Sequence, residues 1–206
     1  MNPTPVDPNA PDDTEPVLLL ELPGIRWSTA DAHRARQRIP DIEVDILTAV
    51  SQNETWMYFP SQELLGPDMF DNPVPLLTSM LNVDKGKEPE FRTRRLRRLN
   101  TLGDRAEGSR QRWHYTSQTD IPADTEDEFN RWFDEEHLPR LAAVPGTVHA
   151  ARYQTDGSPK YLACYDLNEQ EVHGGNAWRA AVSSPWRDRI HKEFVSPRRL
   201  MLMRLQ

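Results

Sequence analysis

The 206-residue sequence predicts an α+β protein in which the order strand, helix, strand, strand, helix, strand occurs twice. Three observations predict it. Short apolar or alternating runs are closed by turn residues, an amphipathic helical stretch follows the first strand of each half, and each half closes on a strand beginning Arg-Arg-Leu (Arg94-Arg95-Leu96 and Arg198-Arg199-Leu200). A content of 37% hydrophobic and 28% charged residues suffices for a buried core. The excess of 32 acidic over 25 basic side chains, a formal charge of −7, argues against a surface that neutralises phosphates, so no nucleic-acid partner is expected.

In the first half, Val17–Leu22 (VLLLEL) reads as a buried strand ended by Pro23-Gly24, and Ser28-Thr29 caps a polar helix over Ala30–Arg38. Ile42–Val50 and Thr55–Phe59 alternate as two strands of a hairpin around Ser51-Gln52-Asn53-Glu54. A short helix over PLLTSMLNV follows within residues 61–84, and residues 94–101 close the half. The arginine run from Arg92 to Arg98 reads as a solvated face, with an anion or partner site as the other reading.

The second half repeats the order. Arg112–Ser117 is a strand, and Thr125–Val144 is the opening helix, with Thr125 and Glu128 spaced as a capping box. Thr147–Gln154 and Tyr161–Leu167 form a hairpin about Thr-Asp-Gly-Ser-Pro. Asn176–Val182 begins a helix that Ser184-Pro185 restarts through Ile190 and Phe194, and Arg199–Leu205 is the last strand. Each half is then a ferredoxin-like repeat. Residues 1–16 form a Pro-rich acidic disordered tail, 17–106 a degenerate repeat and 107–206 a repeat carrying the chemistry. Two sheets, each with one face bare of helices, bury those faces by packing into a barrel.

The tail holds five prolines, four acids and no basic residue, unlike a signal peptide, and no segment approaches the roughly 20 apolar residues of a membrane span. The single Cys164 excludes an intrachain disulfide. A cytoplasmic protein with no membrane partner is the expectation.

The chemistry gathers in EFNRWFDEEHLPRLAAVPG, residues 128–146. On a regular helix Phe129, Trp132, Phe133, Glu136, His137 and Leu141 share a stripe, with Glu136 one turn beyond Trp132 and His137 one turn beyond Phe133. Pro139 denies the helix a donor and bends it, leaving the carbonyl near Glu135 without its usual partner. His137 is either a structural histidine satisfied by a carbonyl beside the kink or a general acid or base near neutral pH. Asp134 stands three residues from it, but no second ligand pair accompanies them, so no metal site is expected. Alternation puts Arg152 and Tyr153 on opposite faces of their strand, and Asp166 beside Tyr165 either caps a turn or orients a histidine. Trp178 and Trp186 are core or cavity wall. His173-Gly174-Gly175 is a loop that could serve as a lid, and His114, His149 and His191 have no partner legible in the sequence.

The run Phe129 to Pro139, followed by Val144-Pro145-Gly146, Ala151-Arg152-Tyr153 and Tyr161 to Asp166, resembles the EthD-like branch of the dimeric α+β barrel superfamily over about residues 125–205. The resemblance implies a barrel with a central cavity for a small hydrophobic or aromatic molecule and a histidine at the position of His137. Thr147 stands where the family often has a bulky apolar residue, and Phe133 where it often has tyrosine. The first half, whose opening helix reads STADAHRARQRIPD with His33 alone, has no counterpart of Glu-His-Leu-Pro. One intact site is therefore expected, in a chain that closes its own barrel or forms a homodimer.

The expected function is a cofactor-independent enzyme of lyase or isomerase type, acting on an aromatic or polyketide-like carbonyl compound by proton transfer. In that reading His137 is acid or base, Glu136 or Asp166 tunes it, and Trp132, Arg152, Tyr153, Tyr165, Trp178 and Trp186 bind substrate. The alternative is a non-catalytic protein that binds such a molecule. A haem or redox barrel ranks third.

Overall fold

A computed structural model describes residues 17–60, 71–84, 86, 89–103 and 110–206. The tail of residues 1–16 and the boundary between the halves at residues 106 and 107 lie outside the described residues. The strands are β1 (Val17–Pro23), β2 (Asp45–Ala49), β3 (Glu54–Phe59), β4 (Arg92–Leu102), β5 (Trp113–Asp120), β6 (Thr147–Thr155), β7 (Tyr161–Leu167) and β8 (Val195–Arg204). They close into one barrel in the order β1-β3-β2-β8-β5-β7-β6-β4, with every neighbour antiparallel. Within each half the order is that of a ferredoxin-like sheet, fourth-first-third-second. The halves join where β2 meets β8 and β4 meets β6, so one chain supplies every strand and no sheet edge stays open.

Helices cover the outside. Over the first half lie α1 (Thr29–Arg38) and α2 (Val74–Leu81), with Leu18, Leu20, Ile46, Met57 and Phe59 beneath them. Ser28 caps α1 in a reciprocal box with Asp31, because both partners satisfy orphan amides of the first turn. Over the second half run α3 (Glu126–Trp132), a π-helical turn (Phe133–His137), α4 (Leu138–Ala142), α5 (Asn176–Val182) and α6 (Pro185–Ile190). The box expected between Thr125 and Glu128 does not form: Thr125 has helical rather than extended backbone angles, and its side chain bonds Asp124 instead.

The barrel interior is packed, which corrects the expectation of a central cavity. Leu19, Leu47, Trp56, Leu96, Tyr153, Leu162, Leu200 and Leu202 fill it, together with two buried ionic clusters. In one, fully buried Glu21 accepts from Arg94 at 3.1 Å and lies 3.4 Å from Arg198. Arg94 thus belongs to the interior, and the arginine run is not a purely solvated face; Arg92, by contrast, is exposed and pairs with Glu90. In the other, Arg204 bridges Asp45 at 2.8 Å and Asp166 at 3.1 Å. The space left beside Tyr58, His114 and Cys164 is about 40 Å³, little more than one water occupies.

Candidate active site

The π turn sets the site. Pro139 has no N–H, and in a regular helix its ring would strike the carbonyl four residues back. The chain widens instead, and the Leu138 amide bonds the Phe133 carbonyl five residues back. The expected bend is therefore absorbed as a change of helical register. His137 lies over Trp132, ring centroids 4.3 Å apart and planes at 27°, and edge-on to Phe133 at 4.8 Å. Glu136 turns the other way, accepting from the Trp132 indole at 3.2 Å and from the Ser184 hydroxyl, with Arg140 at 3.8 Å.

His137 faces a cavity of about 380 Å³ between the second-half helices and the outer face of the barrel. Its floor is Tyr115 and Ser117 of β5, Tyr165 of β7 and Arg199 of β8, and its walls are Phe133, His137 and Leu141 together with Trp178, Val182, Arg187, His191 and Phe194. His173 stacks on Tyr115 at 3.9 Å and meets Trp178 edge-on at 5.3 Å. Its loop is placed by Gly146, where φ is +95° and a Cβ would come within 2.5 Å of Val172.

Among the described residues no acidic side chain lines this cavity. Burial, reinforced by His191, Arg187, Arg152 and Arg199, lowers the His137 imidazole to about 3. Burial and Arg187 bring His191 down to about 4, and burial with Arg199 lowers His173. The imidazoles of His137 and His191 are thus neutral at pH 7, each with one nitrogen able to donate and one to accept. The His137 ring makes no hydrogen bond among the described residues, to a carbonyl beside the kink or to any side chain. Burial raises the Tyr165 phenol well above its ordinary range, and the hydroxyl is buried with no hydrogen-bond partner. It is a protonated donor aimed at nothing in the protein.

The structure brings together only part of the expected site. His137, Tyr165 and Trp178 line the cavity. Trp132, fully buried, supports His137 from behind. Glu136 holds the frame of the helices and does not reach the imidazole. Asp166 points into the barrel, 2.7 Å from His114 Nδ1, because it neighbours Tyr165 and strand alternation sends it to the other face. Asp134 likewise leaves His137 and pairs with Arg152 at 3.4 Å. Arg152 does face the helices, but its guanidinium is enclosed by Phe129, Phe133 and Tyr161 at 4.5–5.0 Å, short of the cavity. Tyr153 lies in the barrel core. Trp186 donates to Glu128 at 3.0 Å outside the cavity. Sequence reasoning missed Tyr115, Ser117, Arg187, His191, Phe194 and Arg199. The β5–β7–β8 register carries the signal for several of them, since it sets Tyr115 opposite Tyr165 and Ser117 opposite Arg199.

No family model and no curated protein matches the chain. Solved structures do. A Fusobacterium nucleatum protein provisionally named a monooxygenase aligns with a TM-score of 0.64 at 8% identity, over 94% of each chain. An anthrone oxidase-like protein gives 0.55 at 13% identity, covering 93% of this chain and 92% of its own. A heme-degrading enzyme from Listeria monocytogenes gives 0.55 at 10%, covering 92% and 99%. The chain has the fold of the dimeric α+β barrel type, with ferredoxin-like halves and a cavity under the helices of one half. At these identities the likeness is one of fold.

Proposed function

We propose that the chain is an enzyme that moves a proton on a small aromatic or polyketide-like carbonyl compound, with His137 as the group that takes the proton. One observation carries the reading: an imidazole with no hydrogen-bond partner among the described residues, held neutral by burial, stands in the wall of a cavity of about 380 Å³ whose described lining has basic but no acidic side chains. With no anion beside it, an imidazolium at His137 is opposed by burial and by the surrounding cations. An enolate or phenolate forming against the ring reverses that balance, because the same cations favour the substrate anion and the anion favours the imidazolium. Tyr165 donates to the developing oxyanion, and the aromatic walls exclude water. Returning the proton at another carbon gives isomerisation or cyclisation, and expelling a leaving group gives a lyase reaction. The resemblance of about residues 125–205 to the EthD-like branch supports the same reading.

The names of the structural neighbours favour a second outcome for the same anion, reaction with dioxygen. Incubating the protein with phenolic and quinonoid carbonyl compounds, while recording mass change and oxygen uptake together, separates these routes. Conversion of any compound that disappears in His137→Gln supports the proposal. Binding without conversion in both proteins makes the pocket a carrier site.

A further inference from the structure

Two arginines stand at the cavity without a full complement of partners. Arg187 pairs with the exposed Asp188 at 3.0 Å through one terminal nitrogen, yet its Nε is buried and makes no hydrogen bond. Arg199 is exposed at the cavity edge and forms no ion pair among the described residues. Tyr165, only 1% exposed, contributes a buried hydroxyl that is likewise unpartnered. A buried polar atom left unpaired costs free energy, and because Arg187, Arg199 and Tyr165 all line one cavity, a ligand seated there with modest side-chain adjustment would supply their acceptors. All three groups are donors, and the cavity wall offers no carboxylate to compete for them.

We propose that the ligand is an organic acid: an aromatic or polyketide-like molecule whose carboxylate or acidic phenol pairs with Arg187 and Arg199 while a second oxygen accepts from Tyr165. This rests on the reading of the cavity as the functional site and adds the class of molecule that fills it. The aromatic body lies among Phe133, Trp178 and Phe194, and the acid group faces the open side where Arg199 reaches solvent. Planar guanidinium groups suit a carboxylate because two N–H groups meet two oxygens.

The test uses a matched set of probes, 1-hydroxy-2-naphthoate, its methyl ester and 1-naphthol, titrated calorimetrically into the full chain and into Arg187→Gln, Arg199→Gln, the double variant and Tyr165→Phe. The acid is expected to bind at least about tenfold more tightly than the ester, as charge-assisted bonds would give. That preference should collapse toward unity in the double variant, with ester affinity changed less than about threefold. Tyr165→Phe should weaken acid and ester alike. If the double variant fails to fold, Arg199→Gln, altered at an exposed side chain, together with a salt titration, decides: acid affinity should fall with added salt while ester affinity holds. Equal binding of acid and ester, a preference that survives removal of both arginines, or binding of none of the three overturns the proposal. Equal binding alongside turnover that needs His137 would leave the proton-transfer reading intact and remove only this one. Acid-selective binding without turnover would do the reverse.

Discussion

The His137 imidazole stacks on the Trp132 indole five residues before it, while the indole N–H donates to Glu136 four residues beyond. In a regular α-helix a residue five positions on has rotated past its partner, and these contacts would not coexist with a half-enclosed imidazole facing the sheet. The π turn returns position 137 beneath position 132 and swings Glu136 toward Ser184. Catalytic proposal and helix irregularity are thus one feature.

Pro139→Ala restores the amide donor and removes the ring that forces the wider turn. The expected outcome is unchanged or slightly higher thermal stability, with ligand affinity reduced about tenfold or more as His137 moves off the cavity wall. Calorimetric titration beside a melting curve checks both; unaltered affinity would show that the π turn is set by packing alone.

The Ser184 hydroxyl accepts from the Arg187 amide at 3.0 Å as the cap of α6 and also donates to Glu136. Ser184→Ala should cost about 1 kcal/mol, as cap deletions do, lowering Tm by about 2–4 °C in a domain of this size. Arg187 sits in the first turn of that helix, so acid binding should weaken with it. A melt and a titration of one purified variant read both effects.

Asp166 is expected to act in the fold and not in the chemistry. Asp166→Ala removes one of the two carboxylates that hold Arg204, leaving Asp45, and takes the partner of His114 Nδ1 from the barrel interior, where losing a buried ionic partner costs up to about 3–5 kcal/mol. Chemical denaturation should show that loss. Ligand affinity at temperatures where the variant remains folded should match the wild type, because Asp166 and Tyr165 occupy opposite faces of β7.

The lowered imidazole of His137 fixes a sign for pH dependence. Its value in the fold, about 3, lies below that of an unfolded histidine, so between pH 6.5 and 3 the unfolded chain binds more protons. Stability through this ring is full above about pH 6.5 and falls by up to about 1.4 kcal/mol per pH unit on acidification. His137→Gln should therefore lose less Tm than the wild type between pH 7 and pH 4. Parallel losses would place the ring in solvent.

Much of the fold was legible and part of the site was not, for identifiable reasons. VLLLEL and TWMYF announce strands by composition, Pro23-Gly24 and Pro145-Gly146 mark ends, and the repeated element order predicts the barrel. Facing was hidden, because helices cover the outside and ion pairs fill the inside. All seven residues of β7, YLACYDL, are buried, so alternation separates Tyr165 from Asp166 without saying which meets the ligand. The register change at Pro139 leaves an α-helical pattern in the sequence, and that pattern places Glu136 on the face of His137. Arg187 of α6 and His191 at its C-cap stand one turn apart and Arg199 lies on β8, so only the packing of that helix over the β5–β7–β8 sheet gathers them around His137.

The most direct measurement is single-turnover conversion of a cavity ligand by wild type and His137→Gln, with the ligand's Kd determined for each. The account predicts a fall in the chemical rate of about a hundredfold or more, the size expected for losing a general base, with Kd changed by less than about fivefold. Equal rates in the two proteins would contradict it and leave His137 as a packing partner of Trp132.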